Sequence, residues 1–407
     1  KLRWRLEFGC HTKFRSTPEQ NIYTISTLEE WKRTVAKHMP HLSVPQATVL
    51  ALWSFGMVIS QSCGLTAVSS SLALLMGKKE NSVRQRMREW YYAKDDKRGK
   101  GRSEIEVSNS FVPLLQWVLS WWPVTEKRLA LAMDATSLGH VLVVLVISVV
   151  YRGCAIPVAW RVLPAIEKGS WKQPWLDLFS HFQGVLPEDW VVIVMADRGL
   201  YARWLFEAIQ KCQWHPFLRI NDQIFFRPKE SQEFKALRLS FHQPGCTWTG
   251  AGTCFKKNSL DVTLWVQWEE GYEKPWLILT DLSPQYASPC WYALRSWIER
   301  GFKYSKSAGW RWQYTRMVDP ERATRFWLAL AVATLWVLSV GGVADANLPA
   351  SSFDALPVNH IARHRHRRTA FARRLSCFHR GIMIILAALI TQKPFPLGRF
   401  VPEPWPT

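Results

Sequence analysis

Strand-like and helix-like text alternate between Arg128 and Lys211 in an order that few architectures can accept. LALAMDA is followed by HVLVVLVISVVYRG and AIPVAWRVL, two β-rich runs separated by a glycine-containing turn, as in a hairpin. A helix-like stretch from Gln173 to Phe182 comes next, then the continuous apolar run DWVVIVMADRGL and the amphipathic YARWLFEAIQK. The order is β-β-β-α-β-α, and the uninterrupted apolar run before Asp197 reads as a buried strand. From 214 to 283, FLRI, QIFF, DVTLWVQWEE and PWLILTDL are set between glycine and proline breaks, which predicts an all-β insertion. Helical text resumes at Gln285 and runs through YALRSWIERGFKYSK.

The flanks differ in kind. Residues 1–44 mix basic, polar and aromatic side chains without a sustained period and read as an extended arm. Helical stretches between Thr48 and Tyr92, punctuated by Gly56, Gly64 and Gly77, predict a small helical domain over 45–103. Its last helix sets Arg84, Arg88 and Tyr91 at i, i+4 and i+7, a face suited to a phosphate track or simply to water. A basic linker, KDDKRGKGR, follows. At the other end, His360 to Arg380 carries seven arginines, four histidines and no acid, ahead of the apolar IMIILAALI.

The charge balance narrows the partners. Against 32 Asp and Glu stand 52 Lys and Arg, a net charge of +20 that points to a polyanion. With 48% apolar and only 21% charged residues, wholesale disorder is excluded. The eight cysteines are scattered without a CxxC pair, which suits a reduced, cytoplasmic setting. Val141 to Tyr151 is too short to cross a bilayer of about 30 Å and reads as a buried strand. Phe326 to Ala344 reaches spanning length, but Arg322 and Arg325 before it and Gly341-Gly342 near its end favour a core helix and no membrane partner. The first residues, KLRWRLEFGCHTKF, hold no signal-peptide core, and the leading Lys carries the expectation that the native start lies upstream.

Asp134 and Asp197 each follow a strand-like run, where carboxylates can converge across neighbouring strands without distorting them. Such convergence is what two hard cations about 3.5–4 Å apart need in order to act on a phosphodiester. Glu299 is the candidate third ligand, on a helix where Tyr292, Arg295, Glu299 and Lys306 fall at successive offsets of +3, +4 and +7, close to one face. Each element also has a plain reading; an Asp after a strand often caps the next helix.

Tyr292-x2-Arg295-x3-Glu299-x6-Lys306 matches, at every spacing, the Y-R-E-K signature of DDE transposases from bacterial cut-and-paste insertion sequences. MDATSLG around Asp134 resembles that family's first acidic motif, ADRGLYARWLF around Asp197 its second, and PWLILTDL the strand before its glutamate region. The resemblance covers about residues 45–340. It implies an α/β fold: an RNase H-like mixed sheet flanked by helices over 104–212 and 285–345, interrupted by an all-β insertion over 213–284. An N-terminal helical DNA-binding domain and a basic C-terminal extension over 346–407 would flank this core.

The resemblance further implies that Asp134, Asp197 and Glu299 are catalytic and bind two Mg²⁺ ions, with Mn²⁺ as a substitute. Tyr292, Arg295 and Lys306 would hold the transposon end. Water attack would free a 3′-hydroxyl, which then attacks target DNA with no covalent protein–DNA link. Arg84 and Arg88 would contact the terminal inverted repeats, and a homodimer in the nucleoid would bridge both ends. Some family members excise through a hairpin and stack a flipped base on tryptophan; Trp297, Trp310, Trp312, Trp265 and Trp268 are candidates, with core packing the competing role. Rival chemistry is thin. His242, Cys246 and Cys254, with Cys290, match no zinc spacing, and there is neither a GxSxG elbow nor a Walker loop. An inactive DNA-binding descendant of a transposase is the alternative function.

Overall fold

The computed structural model describes residues 18–98, 102–166, 171–241, 243–346, 375–394 and 396–406, with side chains described from residue 26 onward. Strands β1 (Arg128–Leu138), β2 (Leu142–Tyr151) and β3 (Cys154–Pro164) form an antiparallel meander. Its β2–β3 turn has two residues, Arg152 and Gly153, both at positive φ (46° and 76°), the geometry whose twist suits a tight hairpin. The chain then passes through α6 (Lys172–Ser180) to β4 (Val191–Ala196), parallel to β1, and through α7 (Arg203–Lys211) to β5 (His215–Arg219), parallel to β4.

The strands expected as a separate insertion instead extend this same sheet. β10 (Trp276–Thr280) pairs antiparallel with β5, followed outward by β9 (Leu260–Gln267), β8 (Thr247–Cys254), β6 (Phe225–Pro228) and β7 (Lys235–Ala236). The result is one ten-stranded sheet in the order β3-β2-β1-β4-β5-β10-β9-β8-β6-β7, with the short α8 (Leu237–Ser240) at its far end. The physical reason is edge capture: β5 presents unpaired backbone groups that β10 satisfies.

Side-chain alternation divides the sheet's two faces. Leu129, Leu131 and Met133 of β1, with Val192 and Val194 of β4, join the large core, whereas Ala130, Ala132, Ile193 and Met195 join a second, smaller one. The large core lies under α5 (Phe111–Ser120), α6, α7 and α10 (Pro320–Asp345). Asp319 caps α10, accepting from the Arg322 amide, and Pro320 occupies its first turn. α10 is long and apolar enough to cross a membrane, and it is buried along almost its whole length inside the fold.

The same core takes in α2 (Val44–Ser60), α3 (Leu65–Met76) and α4 (Glu80–Trp90), the helical text of 45–103. The arm expected over 1–44 is corrected: α1 spans Pro18–His38, and its Leu28, Trp31 and Val35 face inward, with Trp31 stacked on Trp336 of α10 at 4.3 Å. The C-terminal extension is corrected in part. α11 (Cys377–Thr391) packs on α10, and residues 396–406 strap across the sheet, with Phe400 in the large core and Trp405 in the small one. Buried Arg152 pairs with Glu403 of that strap at 3.3 Å. The Arg/His run up to residue 374 lies outside the described residues.

Candidate active site

The small core is covered by a 3-10 turn, Pro289–Arg295, and by α9 (Ser296–Lys303). Gly301 brings α9 close to β3, since a Cβ there would lie 2.9 Å from that of Ala155. Beneath this cover, register predicts a row of side chains. Ala132 of β1 is level with Met195 of β4, and Met195 with Phe217 of β5. Two residues further on, the same face and level belong to Asp134, Asp197 and Arg219, at the carboxyl ends of three parallel strands, where open α/β sheets bind their ligands.

All three carboxylates of the expected triad meet one guanidinium. Arg295 Nη2 donates to Asp134 Oδ2 at 2.8 Å and lies 3.5 Å from Asp197 Oδ2, and Nη1 donates to Glu299 Oε1 at 3.1 Å. The Arg295 side chain is 10% exposed, against 58% for Glu299. Burial alone would lower the Arg295 pKa, but Tyr292 and the three carboxylates outweigh it and raise it above the usual arginine value. Burial raises the Asp134 pKa, opposed by Arg295 and by the Ala135 amide that donates to Oδ1 at 2.8 Å. Asp197 does not cap a helix: its Oδ1 accepts from the Arg198 amide at 2.7 Å, while Ala202 stands at the N-cap of α7.

As a donor set, three carboxylates from sequence-distant elements, oxygen only and aimed at a common positive group, fit a hard divalent cation. Their central position is taken by Arg295, and among the described residues no three His, Cys, Asp or Glu side chains enclose an ion as they stand. Nor do the cysteines: Cys246 and Cys254 are free thiols, and His242 lies outside the described residues.

The remaining expected residues sit differently. Tyr292, expected to hold DNA, is 4% exposed, and its hydroxyl donates to the Ala196 carbonyl at 3.1 Å. Burial pushes its phenol pKa up. The single helix expected through 292–306 is three pieces: the 3-10 turn, α9, and a π turn over Tyr304–Ala308 that carries Lys306 out of strict α register. Lys306 is half-buried, which lowers its pKa, and pairs with no acid among the described residues. Trp297, Trp310, Trp312 and Trp265 are core residues instead of exposed platforms, and Trp310 spends its N–H on Thr334 at 2.8 Å. Trp268 is half-buried and donates to the Tyr272 carbonyl. On α4, Arg84 is exposed, and Arg88 lies over the Tyr92 ring at 5.8 Å.

No protein-family model and no curated protein matches this chain. Among solved structures it aligns with the cryo-EM structure of a piggyBac transposase synaptic complex with hairpin DNA. The alignment covers 96% of this chain and 79% of that one at 11% identity, with a TM-score of 0.32.

Sequence reasoning missed Arg219, which extends the acidic row by one strand and whose Nε meets no acceptor among the described residues. One arginine in an apolar segment gives no local signal; only cross-strand register reveals it. Exposed Arg198 adds a second positive charge beside Asp197.

Proposed function

We propose that this chain is a DDE transposase that cuts transposon-end DNA and joins it to target DNA. The observation that carries the reading is the convergence of Asp134, Asp197 and Glu299 on one cation position, from two adjacent parallel strands and a helix packed over them. The helix-flanked order β3-β2-β1-β4-β5 supports an RNase H-like core, and the net charge of +20 supports a nucleic-acid partner.

Asp134, Asp197 and Glu299 would hold two Mg²⁺ or Mn²⁺ ions, which when bound activate a water and stabilise the leaving oxygen of a phosphodiester. The chain's own contribution is placement. Tyr292 anchors the end of β4 and so fixes Asp197, while Arg219 and Arg198 lie beside the acids as donors for backbone phosphates, with Lys306 a further donor on the π turn that follows α9. Terminal inverted repeats, target DNA, a homodimer at the paired ends and a bacterial cytoplasm complete the reading.

The test is cleavage of a labelled duplex carrying the inverted repeats that flank the coding sequence, with Mg²⁺ or Mn²⁺, comparing wild type with Glu299→Gln. Metal-dependent nicking at the repeat boundary, lost in the variant, is expected. Binding without cleavage in either protein would favour the alternative, an inactive DNA-binding descendant.

A further inference from the structure

Three carboxylates carry three negative charges, and the group between them supplies one positive charge. Arg295 is held there by the fold itself: it ends the 3-10 turn whose Tyr292 is bonded to the Ala196 carbonyl, one residue before Asp197. Its Nη1 and Nη2 face Glu299, Asp134 and Asp197, and its Nε has no acceptor among the described residues. A guanidinium and a divalent ion compete for the same oxygens, because each would place like charge against the other in a partly desolvated pocket. A guanidinium that leaves carboxylates needs another anion, and a phosphate matches its planar fork.

We propose that Arg295 is the internal counter-ion of the metal-free triad: it keeps Asp134, Asp197 and Glu299 aligned in the resting protein, and divalent metal binds only as Arg295 gives up those oxygens. This rests on the proposed function and deepens it. Arg295 is a positioning residue that suppresses metal loading in the absence of DNA. A DNA phosphate that captures the guanidinium tightens metal binding, and by linkage metal tightens DNA binding equally.

The experiment is calorimetric titration of the full chain with Mn²⁺ alone, in wild type, Arg295→Gln, Arg295→Lys and Glu299→Gln, each checked for folding by circular dichroism. Arg295→Gln is expected to bind Mn²⁺ about tenfold or more tightly than wild type, since about 1.4 kcal/mol of lost competition is a factor of ten. Arg295→Lys, which keeps the charge, is expected to stay within about threefold of wild type. A purely structural arginine would give the opposite sign, with weaker binding on its removal.

Wild type supplies a second measurement that does not depend on the Gln variant folding. With ¹⁵N-labelled arginine, the Nε–H signal missing from Arg295→Lys is expected to disappear into fast solvent exchange as Mg²⁺ is added. Equal or weaker Mn²⁺ binding by folded Arg295→Gln, or an Arg295 signal unmoved at saturating Mg²⁺, overturns the counter-ion role. If Glu299→Gln weakens Mn²⁺ binding in the same series, the metal-site reading survives that failure; if no protein binds Mn²⁺, both fall.

Discussion

The Tyr292 hydroxyl donates to the Ala196 carbonyl across 3.1 Å, tying the turn that carries Arg295 to the strand end that precedes Asp197. A residue that the family resemblance implies would contact DNA thus faces inward and ties down the strand end that carries an acid.

Tyr292→Phe removes that bond without opening a cavity. A loss of about 1 kcal/mol in stability is expected, with more for the carbonyl left unsatisfied. If the proposed activity holds, the cleavage rate falls about tenfold while DNA affinity stays within about twofold. A variant that cuts normally but binds DNA weakly would show that Tyr292 reaches DNA after all.

α11 packs closely on α10, and a glycine on each helix, Gly381 and Gly341, makes this measurable. A Cβ on Gly341 would lie 2.0 Å from the Cys377 carbonyl oxygen, and one on Gly381 1.9 Å from that of Val337. Gly341→Ala is expected to cost about 1–3 kcal/mol or more through overpacking, read as a lower urea midpoint. An unchanged midpoint would mean that α11 does not dock there.

Two histidines give the fold a pH limit. Burial lowers the pKa of His38 from 6.5, partly offset by its bond to the Thr34 carbonyl, and burial lowers that of His41 likewise. Neutral imidazole is therefore the form the fold prefers. The stability these groups contribute is present above about pH 6.5 and is lost as pH falls through the lowered folded values. The melting temperature of the metal-free chain is expected to drop over that window, and less so in His38→Gln. A variant that tracks wild type at every pH would remove His38 from the account.

The Arg152–Glu403 pair tests the strap. Both side chains are buried, at 5% and 2% exposed, so Glu403→Ala leaves a guanidinium without its charged partner. A destabilisation of about 3–5 kcal/mol is expected in chemical denaturation. A loss below about 1 kcal/mol would place the strap outside the cooperative fold.

What the sequence made legible was local. The β2–β3 hairpin and the strand runs ahead of Asp134 and Asp197 follow from local pattern, and the burial of α10 from Arg322, Arg325 and the Gly341-Gly342 pair at its ends, because those signals lie within or beside one element. α1 was hidden although Leu28, Trp31, Val35 and Met39 hold helical spacing, since the polar and basic residues between them blur a short stripe. The continuation of the sheet from β5 to β10 depends on which edge a distant strand finds, and no residue announces that. The acidic residues were legible, but Arg219's place beside them was not, and neither was the inward turn of Arg295.

Iron-directed backbone cleavage asks whether Asp134, Asp197 and Glu299 act as a single cation site, as proposed. Full-length protein would be incubated with Fe²⁺, ascorbate and peroxide, and the fragments mapped by mass spectrometry. Cuts are expected to cluster near 134, 197 and 299 together, suppressed by excess Mg²⁺ and weakened at all three places by Glu299→Gln. Cuts confined to one of these segments, or insensitive to Mg²⁺, would contradict it.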